Sequence, residues 1–214
     1  LRDMIEAVLE LPTSIEELVI LNPEITKDAP EDKGVVLDIL VRLRDGRQID
    51  VEMQSTIPPG TFERLVFYWT RCYQNSIGRG DPYTALLPCI SILWFKRPLL
   101  QSPRFHSTLF IVDPKSLEIP SRVFEMHVLE LPKFSLAPPG QQAKLQRWAQ
   151  FLRATTVEEL EALAREDPIM NTAKNALEEL SLDPEARRMA SDREAALLMF
   201  GHMMASSRTE GRTE

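Results

Sequence analysis

Hydrophobic and polar residues alternate strictly along "QIDVEMQ", residues 48–54, and the run before it, "VVLDILVRL" at 35–43, is almost continuously apolar. The two runs flank Asp45-Gly46, which is typical of a β-hairpin turn. Alternation puts every second side chain of the later strand on one face, and the polar ones are Gln48, Asp50, Glu52 and Gln54. For that strand alone, the pattern favours a polar face in contact with water.

The same spacing rules predict the other elements. An amphipathic helix is expected at 2–10 and another at 61–78, with Thr61 as its N-cap and Gly78 as its stop. Further strands are expected at 18–21, 87–95, 104–113 and 122–131, and helices at 141–154, 157–165, 168–181 and 184–205. This order predicts an α+β or α/β core over 1–135 and a C-terminal helical region over 136–214.

Composition adds little beyond a globular class, because 43% apolar and 27% charged residues are ordinary values. No stretch is apolar enough to cross a membrane, so we expect no membrane partner and a cytoplasmic protein. Cys72 and Cys89 lack metal-type spacing and are predicted to be buried free thiols. The first residue, Leu1, and the final "SSRTEGRTE" indicate a segment cut from a longer protein.

The charge is unevenly distributed. The chain carries −7 in total, but residues 33–150 hold 15 basic and 10 acidic residues, a local charge of +5. Binding to phosphates depends on the local field rather than on the total. The distribution therefore permits DNA binding without demonstrating it.

Two carboxylates of the hairpin, Asp38 and Glu52, could bind a metal ion together if they lie on the same face. A two-residue loop at Asp45-Gly46 would send Asp38 and Glu52 to opposite faces. A three-residue loop with Gly46 left-handed would pair Leu43 with Arg47 and set Asp38 directly across from Glu52, with their Cβ atoms roughly 5 Å apart. Two carboxylates so close repel each other unless a cation lies between them. Mg²⁺ suits such a site, with Mn²⁺ as an alternative ion.

The hairpin and the segments around it resemble a known family. Asp38, then Glu52-Met53-Gln54, followed by a helix, is similar to the PD-(D/E)XK nuclease core with Gln in place of the usual Lys. More specifically, the chain resembles the Rpn-like recombination-promoting nucleases, a group of PD-(D/E)XK nuclease family transposases. The matching stretches are "ILNPE" (20–24), the hairpin (37–54), "ERLVFYWTRCYQNSIGRGDPYTALLPCISI" (63–92), "FHSTLFIVD" (105–113) and "HVLELPKF" (127–134).

The resemblance implies an α/β fold with a restriction-endonuclease-like mixed β-sheet flanked by helices, and a Mg²⁺-dependent endonuclease acting on double-stranded DNA in recombination or transposition. It also implies that Asp38 and Glu52 hold the metal, with the Met53 carbonyl as a further ligand and Gln54 near the attacking water. Whether Glu6 or Glu10 takes part is left open.

Several other residues are candidates for binding. Arg64, Tyr68 and Arg71 share one face of the helix at 61–78 and either grip nucleic acid or form a solvated face. The basic residues Lys96, Arg97 and Arg104 either extend a basic patch or are isolated surface charges. His106 and His127 lie on neighbouring predicted strands, where they could meet as metal ligands. No third ligand has a matching spacing, so they are expected to be structural or surface histidines.

Two further functions compete with a DNA endonuclease. Because Gln54 replaces the lysine, the chain is alternatively a catalytically weak or inactive DNA-binding or scaffolding module with a nuclease fold. Cleavage of RNA is a third candidate, and self-association as a homodimer is left open.

Overall fold

The computed structural model describes residues 1–11, 14–21, 24–25, 35–36, 39–136, 143–185 and 188, with only the backbone described at 24–25 and 35–36. Its strands are β1 (Leu18–Leu21), β2 (Glu24–Ile25), β3 (Val35–Val36), β4 (Ile39–Leu43), β5 (Gln48–Gln54), β6 (Cys89–Phe95), β7 (His106–Phe110) and β8 (Phe124–Glu130). Its helices are α1 (Arg2–Leu9), α2 (Thr61–Gln74), α3 (Ala143–Arg153), α4 (Val157–Glu166) and α5 (Pro168–Leu182). None of the helices described is long and apolar enough to cross a membrane.

Six strands form a mixed sheet in the order β1-β4-β5-β6-β8-β7, and β2 pairs with β3 separately. The strands β5, β6 and β8 run parallel, whereas the pairs β1–β4, β4–β5 and β7–β8 are antiparallel. The predicted mixed sheet flanked by helices is therefore confirmed. The near-continuous apolar run in β6 follows from its central place, since all seven of its residues are buried.

Helix α2 covers one face of this sheet. Its inward residues Leu65, Trp69 and Cys72 belong to one buried cluster with apolar side chains of β6 and β8, namely Cys89, Leu93, Phe95, Phe124, Met126 and Val128. Both cysteines are free and fully buried, as predicted. The helix packs directly on β5 and β6, so the side chains of these two strands that point toward α2 are covered by it.

The start and end of α2 differ from the prediction. Gly60, not Thr61, is the N-cap, and its φ of 78° is one that glycine adopts without strain. The Thr61 hydroxyl instead donates to the Pro58 carbonyl at 2.6 Å. The helix ends at Gln74, with Asn75 as its C-cap, before the predicted stop at Gly78.

The described residues cluster into two compact units, the first spanning Leu1–Leu145 and the second beginning at Gln146. In the second unit, Thr156 and Glu159 form a capping box at the start of α4, and Asp167 caps α5. Most of the helix predicted at 184–205 lies outside the described residues. The boundary predicted after residue 135 stays a prediction.

The hairpin adopts the three-residue loop. The Leu43 amide donates to the Arg47 carbonyl at 2.9 Å, the Gly46 amide donates to the Leu43 carbonyl at 2.9 Å, and Gly46 has a φ of 88°. The pairing continues through Val41 with Ile49 to Ile39 with Val51. The three-residue loop, the register that would set Asp38 across from Glu52, is thus confirmed for the described pairs, and the two-residue alternative is wrong.

The two histidines meet across β7 and β8. His106 Nε2 lies 2.8 Å from His127 Nδ1, and His127 Nε2 lies 2.8 Å from Glu125 Oε1. Because a carboxylate only accepts, His127 Nε2 donates to Glu125, and the Nδ1 atom of His127 shares a hydrogen bond with Nε2 of His106. Burial and then the nearby His127 lower the pKa of His106 to about 4.

Replacing Gly46 with alanine should destabilise the protein by about 1–3 kcal/mol, because the turn requires a left-handed residue. The new Cβ would also lie 2.4 Å from Leu87 Cδ1, so the leucine must rotate away. Urea denaturation measures the loss. Gly80→Ala is the matched control, since Gly80 has a φ of 94° but open space around it. An equal or larger loss for the control would contradict a packing contribution at Gly46.

The low pKa of His106 predicts an acid-sensitive fold. Its folded value of about 4 lies below the ordinary 6.5, so this stabilisation is complete above pH 6.5 and is lost as the pH falls to about 4. His106→Gln should remove that dependence, which amounts to at most about 3 kcal/mol. Denaturant titrations of both proteins across this range supply the measurement, and parallel pH profiles would contradict the prediction.

Candidate active site

The polar face of β5 is buried. Gln48, Asp50, Glu52 and Gln54 are each at most 6% exposed. The expectation of a water-facing strand is therefore wrong, because alternation reports which side chains share a face and does not report what covers that face. Four buried polar side chains in a row require partners, since leaving such groups without hydrogen bonds costs free energy.

Helix α2 supplies several of these partners. Cys72 Sγ donates to Gln48 Oε1 at 3.4 Å near the start of β5, and Arg64 Nη2 donates to Gln54 Oε1 at 2.9 Å near its end. Between them, Tyr68 lies beneath the Arg64 guanidinium, 5.8 Å from it. Burial raises the pKa of Tyr68, while the Arg64 charge opposes that rise. The helix therefore runs antiparallel to β5 and places its polar side chains over the strand.

A chain of hydrogen bonds links Arg64 to Glu52 through Gln54. Gln54 Nε2 donates to Glu52 Oε2 at 2.8 Å. The orientation of the Gln54 amide is determined by its neighbours, because a guanidinium only donates and a carboxylate only accepts. The amide oxygen must face Arg64 and the amide nitrogen must face Glu52. Gln54 thus fixes one oxygen of the carboxylate and turns the Glu52 side chain into a defined position.

Both acids of this face hold protons more tightly than usual. Burial raises the pKa of Glu52 to about 7, although the bond from Gln54 and the Arg64 charge both lower it. Burial also raises the pKa of Asp50 well above its ordinary value, and the charge of Glu52 adds to that rise. Arg64 reaches Glu52 through Gln54, so its charge offsets the burial of these two neighbouring acids only in part.

Two acceptor atoms of this face are left over, and their chemistry is the kind that a divalent cation binds. Glu52 Oε1 and Asp50 Oδ1 are buried and accept no hydrogen bond from a described residue. A hard cation takes carboxylate oxygens of this kind, and its charge would return both acids to their ionised forms. The described residues contain no group of three or more Asp, Glu, His or Cys side chains arranged to hold a metal. A complete ligand set therefore needs oxygens from elsewhere.

The other predicted site residues are placed as follows. Asp38 lies outside the described residues. Met53 lies between Glu52 and Gln54, with its side chain on the opposite face of β5. Arg64 contacts Gln54, and Arg71 is half-buried further along α2. The assigned roles of Arg64, Tyr68 and Arg71 in nucleic-acid binding stay predictions.

Sequence reasoning did not single out Asp50 or Ser91. Ser91 pairs with Asp50 across β5 and β6, is 1% exposed, and its hydroxyl has no partner among the described residues. The sequence offered one signal for Asp50, its place on the same face as Glu52. Nothing in "CISILWF" distinguished Ser91 from a small residue without a functional role in an apolar strand.

Comparison with known protein families gives a match over most of the chain. The family model described as PD-(D/E)XK nuclease family transposase matches residues 1–198 of the 214. The mixed six-stranded sheet with flanking helices fits the nuclease fold of that family. No curated protein and no solved structure matches the chain.

Gln54→Leu should lower the free energy of unfolding by about 1.5–3 kcal/mol, because it removes the donor to a buried carboxylate and the acceptor of Arg64. Gln48→Leu is the matched control. Gln48 lies on the same strand and face with similar burial, but its described side-chain partner is the weak thiol donor of Cys72. Its loss should be clearly smaller in the same urea titration. Equal losses would contradict a specific link between Arg64, Gln54 and Glu52.

Proposed function

The chain belongs to the PD-(D/E)XK nuclease family transposases, and we propose that it is a metal-dependent DNA endonuclease that hydrolyses phosphodiester bonds during recombination or transposition. The observation that carries this proposal is the Glu52 carboxylate. It is 2% exposed, one oxygen is held by Gln54, and the other has no described hydrogen-bond donor. A structural carboxylate would be expected to satisfy both oxygens.

In this proposal Asp38 and Glu52 hold the ion, and the Met53 carbonyl is a further ligand. Support for Asp38 comes from the register, since the four described pairs of β4 and β5, if continued by one step, would set residue 38 opposite residue 52. Mg²⁺ is the proposed ion, with Mn²⁺ as an alternative. When bound, it would supply a water of lowered pKa as nucleophile and positive charge against the phosphate in the transition state.

The remaining residues have positioning and binding roles in the proposal. Gln54 holds Glu52 Oε2 so that Oε1 faces the ion. Arg64 fixes the Gln54 amide and adds positive charge near the scissile phosphate, together with Arg71. Tyr68 and these arginines form the proposed contact with double-stranded DNA.

One observation favours the competing binding module. Both ends of the Gln54 amide are used within the protein, by Arg64 and by Glu52, and an amide cannot supply a proton as a lysine can. Cleavage must then rely on the metal water alone. A chain that binds DNA but does not cleave it would match this alternative.

Plasmid cleavage tests the proposal. With Mg²⁺ the wild type should convert supercoiled plasmid to nicked or linear forms, and EDTA should abolish the reaction. Asp38→Asn and Glu52→Gln should each lower the rate by more than about 100-fold, since even residues outside the metal's own ligands cost about 10–100-fold in activity.

Glu63→Gln is the control, because Glu63 is an exposed carboxylate on the same helix as Arg64. It should leave the rate unchanged. If no metal-dependent cleavage occurs, or if both ligand variants cleave like the control, the endonuclease proposal is wrong. Binding without cleavage would then support the non-catalytic module.

A further inference from the structure

The loop after β6, residues 96–104, differs in charge from the rest of the chain. Its sequence "KRPLLQSPR" contains three basic residues and no acidic one, within a protein of net charge −7. Lys96, Arg97 and Arg104 are all exposed, and none of them forms an ion pair with another described residue. These three cations, which have no counter-ion among the described residues, lie on one short loop and form a concentrated positive surface, which we call the basic loop.

The basic loop begins beside the candidate site. The Lys96 amide donates to the Gln54 carbonyl at 2.9 Å, which continues the parallel pairing of β5 and β6 by one residue. Glu52 pairs with Leu93, three residues before Lys96. At about 3.3 Å per residue, Lys96 lies about 10 Å along the sheet from Glu52. That separation spans about three nucleotides of a DNA strand, at roughly 3.4 Å each.

A buried ion pair holds the basic loop in place. Glu130 is fully buried and Lys133 is 9% exposed, and Lys133 Nζ donates to Glu130 Oε2 at 2.6 Å. Glu130 Oε1 accepts from the Leu99 and Leu100 amides at 2.5 and 3.0 Å. Lys133 Nζ also donates to the carbonyls of Leu100 and Ser102, at 2.7 and 2.6 Å. The pair therefore satisfies four backbone groups of the loop.

A buried pair of this kind is not the simplest way to stabilise a fold. Apolar residues of similar volume are often as stable, because desolvating two charges offsets much of their attraction. What the pair provides here is a fixed loop conformation, since all three donors of the Lys133 ammonium are used and two point at loop carbonyls. A fixed loop loses little conformational entropy when it binds a ligand.

We propose that the basic loop is a phosphate-binding surface that holds the DNA backbone beside the scissile position, with the pair of Glu130 and Lys133 as its anchor. Lys96 and Arg97 would contact phosphates flanking the bond that the candidate site cleaves. The inference rests on the proposed function for its partner, duplex DNA. It assigns the contact to phosphates, so the surface would carry affinity and not sequence preference.

Binding without metal separates this surface from catalysis. We would measure the affinity of the protein for a short fluorescein-labelled DNA duplex by anisotropy in EDTA, with KCl varied from about 50 to 200 mM. Each lost phosphate contact lowers the slope of log K against log salt by about 0.9. Lys96→Gln/Arg97→Gln should therefore lower the magnitude of the slope by about 1.8 and weaken binding at low salt.

The matched control removes two other exposed cations. Arg79 lies just after the C-terminal end of α2, and that end of the helix contacts the start of β5. Lys115 lies just after β7, whose last residue, Phe110, pairs with Glu125 at the start of β8. Both therefore lie toward the opposite edge of the sheet. Arg79→Gln/Lys115→Gln has the same change in net charge and should keep the wild-type slope. Equal slopes for the two double variants would overturn the proposal, as would wild-type protein that binds no duplex.

The anchor is tested separately. Glu130→Gln/Lys133→Met removes both charges at similar volume, and amide hydrogen exchange at Leu99 and Leu100 should become faster while DNA binding weakens. If this variant does not fold, the surface variants still decide the proposal. If the wild type binds DNA through the basic loop but cleaves no plasmid, the endonuclease proposal is wrong and the proposed phosphate-binding surface is supported. If the wild type cleaves plasmid but Lys96→Gln/Arg97→Gln binds DNA as the wild type does, the endonuclease proposal is supported and the basic loop is not the phosphate-binding surface.

Discussion

The register between β4 and β5 determines which side chains of the hairpin lie under helix α2. Leu43 pairs with Arg47 across a three-residue loop, so even-numbered residues of β5 point toward the helix. A shift by one residue would turn Glu52 and Gln54 to the other face and bring Val51 and Met53 beneath Arg64. The left-handed Gly46 favours this choice locally, through the geometry of the turn itself.

In this register the polar face of β5 is buried away from water. Burying ionised carboxylates there costs free energy, and the described residues do not fully offset it. A rise in the pKa of Glu52 from 4.5 to about 7 corresponds to about 3 kcal/mol against the ionised form. Arg64 acts through Gln54 instead of pairing with Glu52 directly, which leaves part of that cost in place. An arginine in direct contact would neutralise the carboxylate but would also occupy the oxygen that a cation needs. The indirect link keeps Glu52 oriented and still available.

Local patterns predicted most of the sheet, because strands and a hairpin with Asp45-Gly46 follow from period and turn chemistry. They left two registers open, and the three-residue loop was favoured because the alternative separated Asp38 from Glu52. They did not predict that the polar face of β5 is buried, because covering it depends on where α2 packs. The anchor of the basic loop was missed for a similar reason. Glu130 and Lys133 are spaced like an ordinary surface pair, and only the return of residues 99–102 to β8 buries them.

The parallel direction of β5, β6 and β8 explains why distant segments meet at one place. Strands that run in the same direction end at the same edge, so Gln54, Phe95 and Glu130 lie side by side although the chain separates them widely. Each strand contributes something different there. The end of β5 carries the carboxylate and its amide, β6 leads into the basic loop, and β8 supplies the buried acid that anchors it. Antiparallel order would have sent the loop after β6 to the far edge, away from Glu52. The topology therefore brings a desolvated acid and the basic loop to the same edge of the sheet, although they are far apart in the sequence.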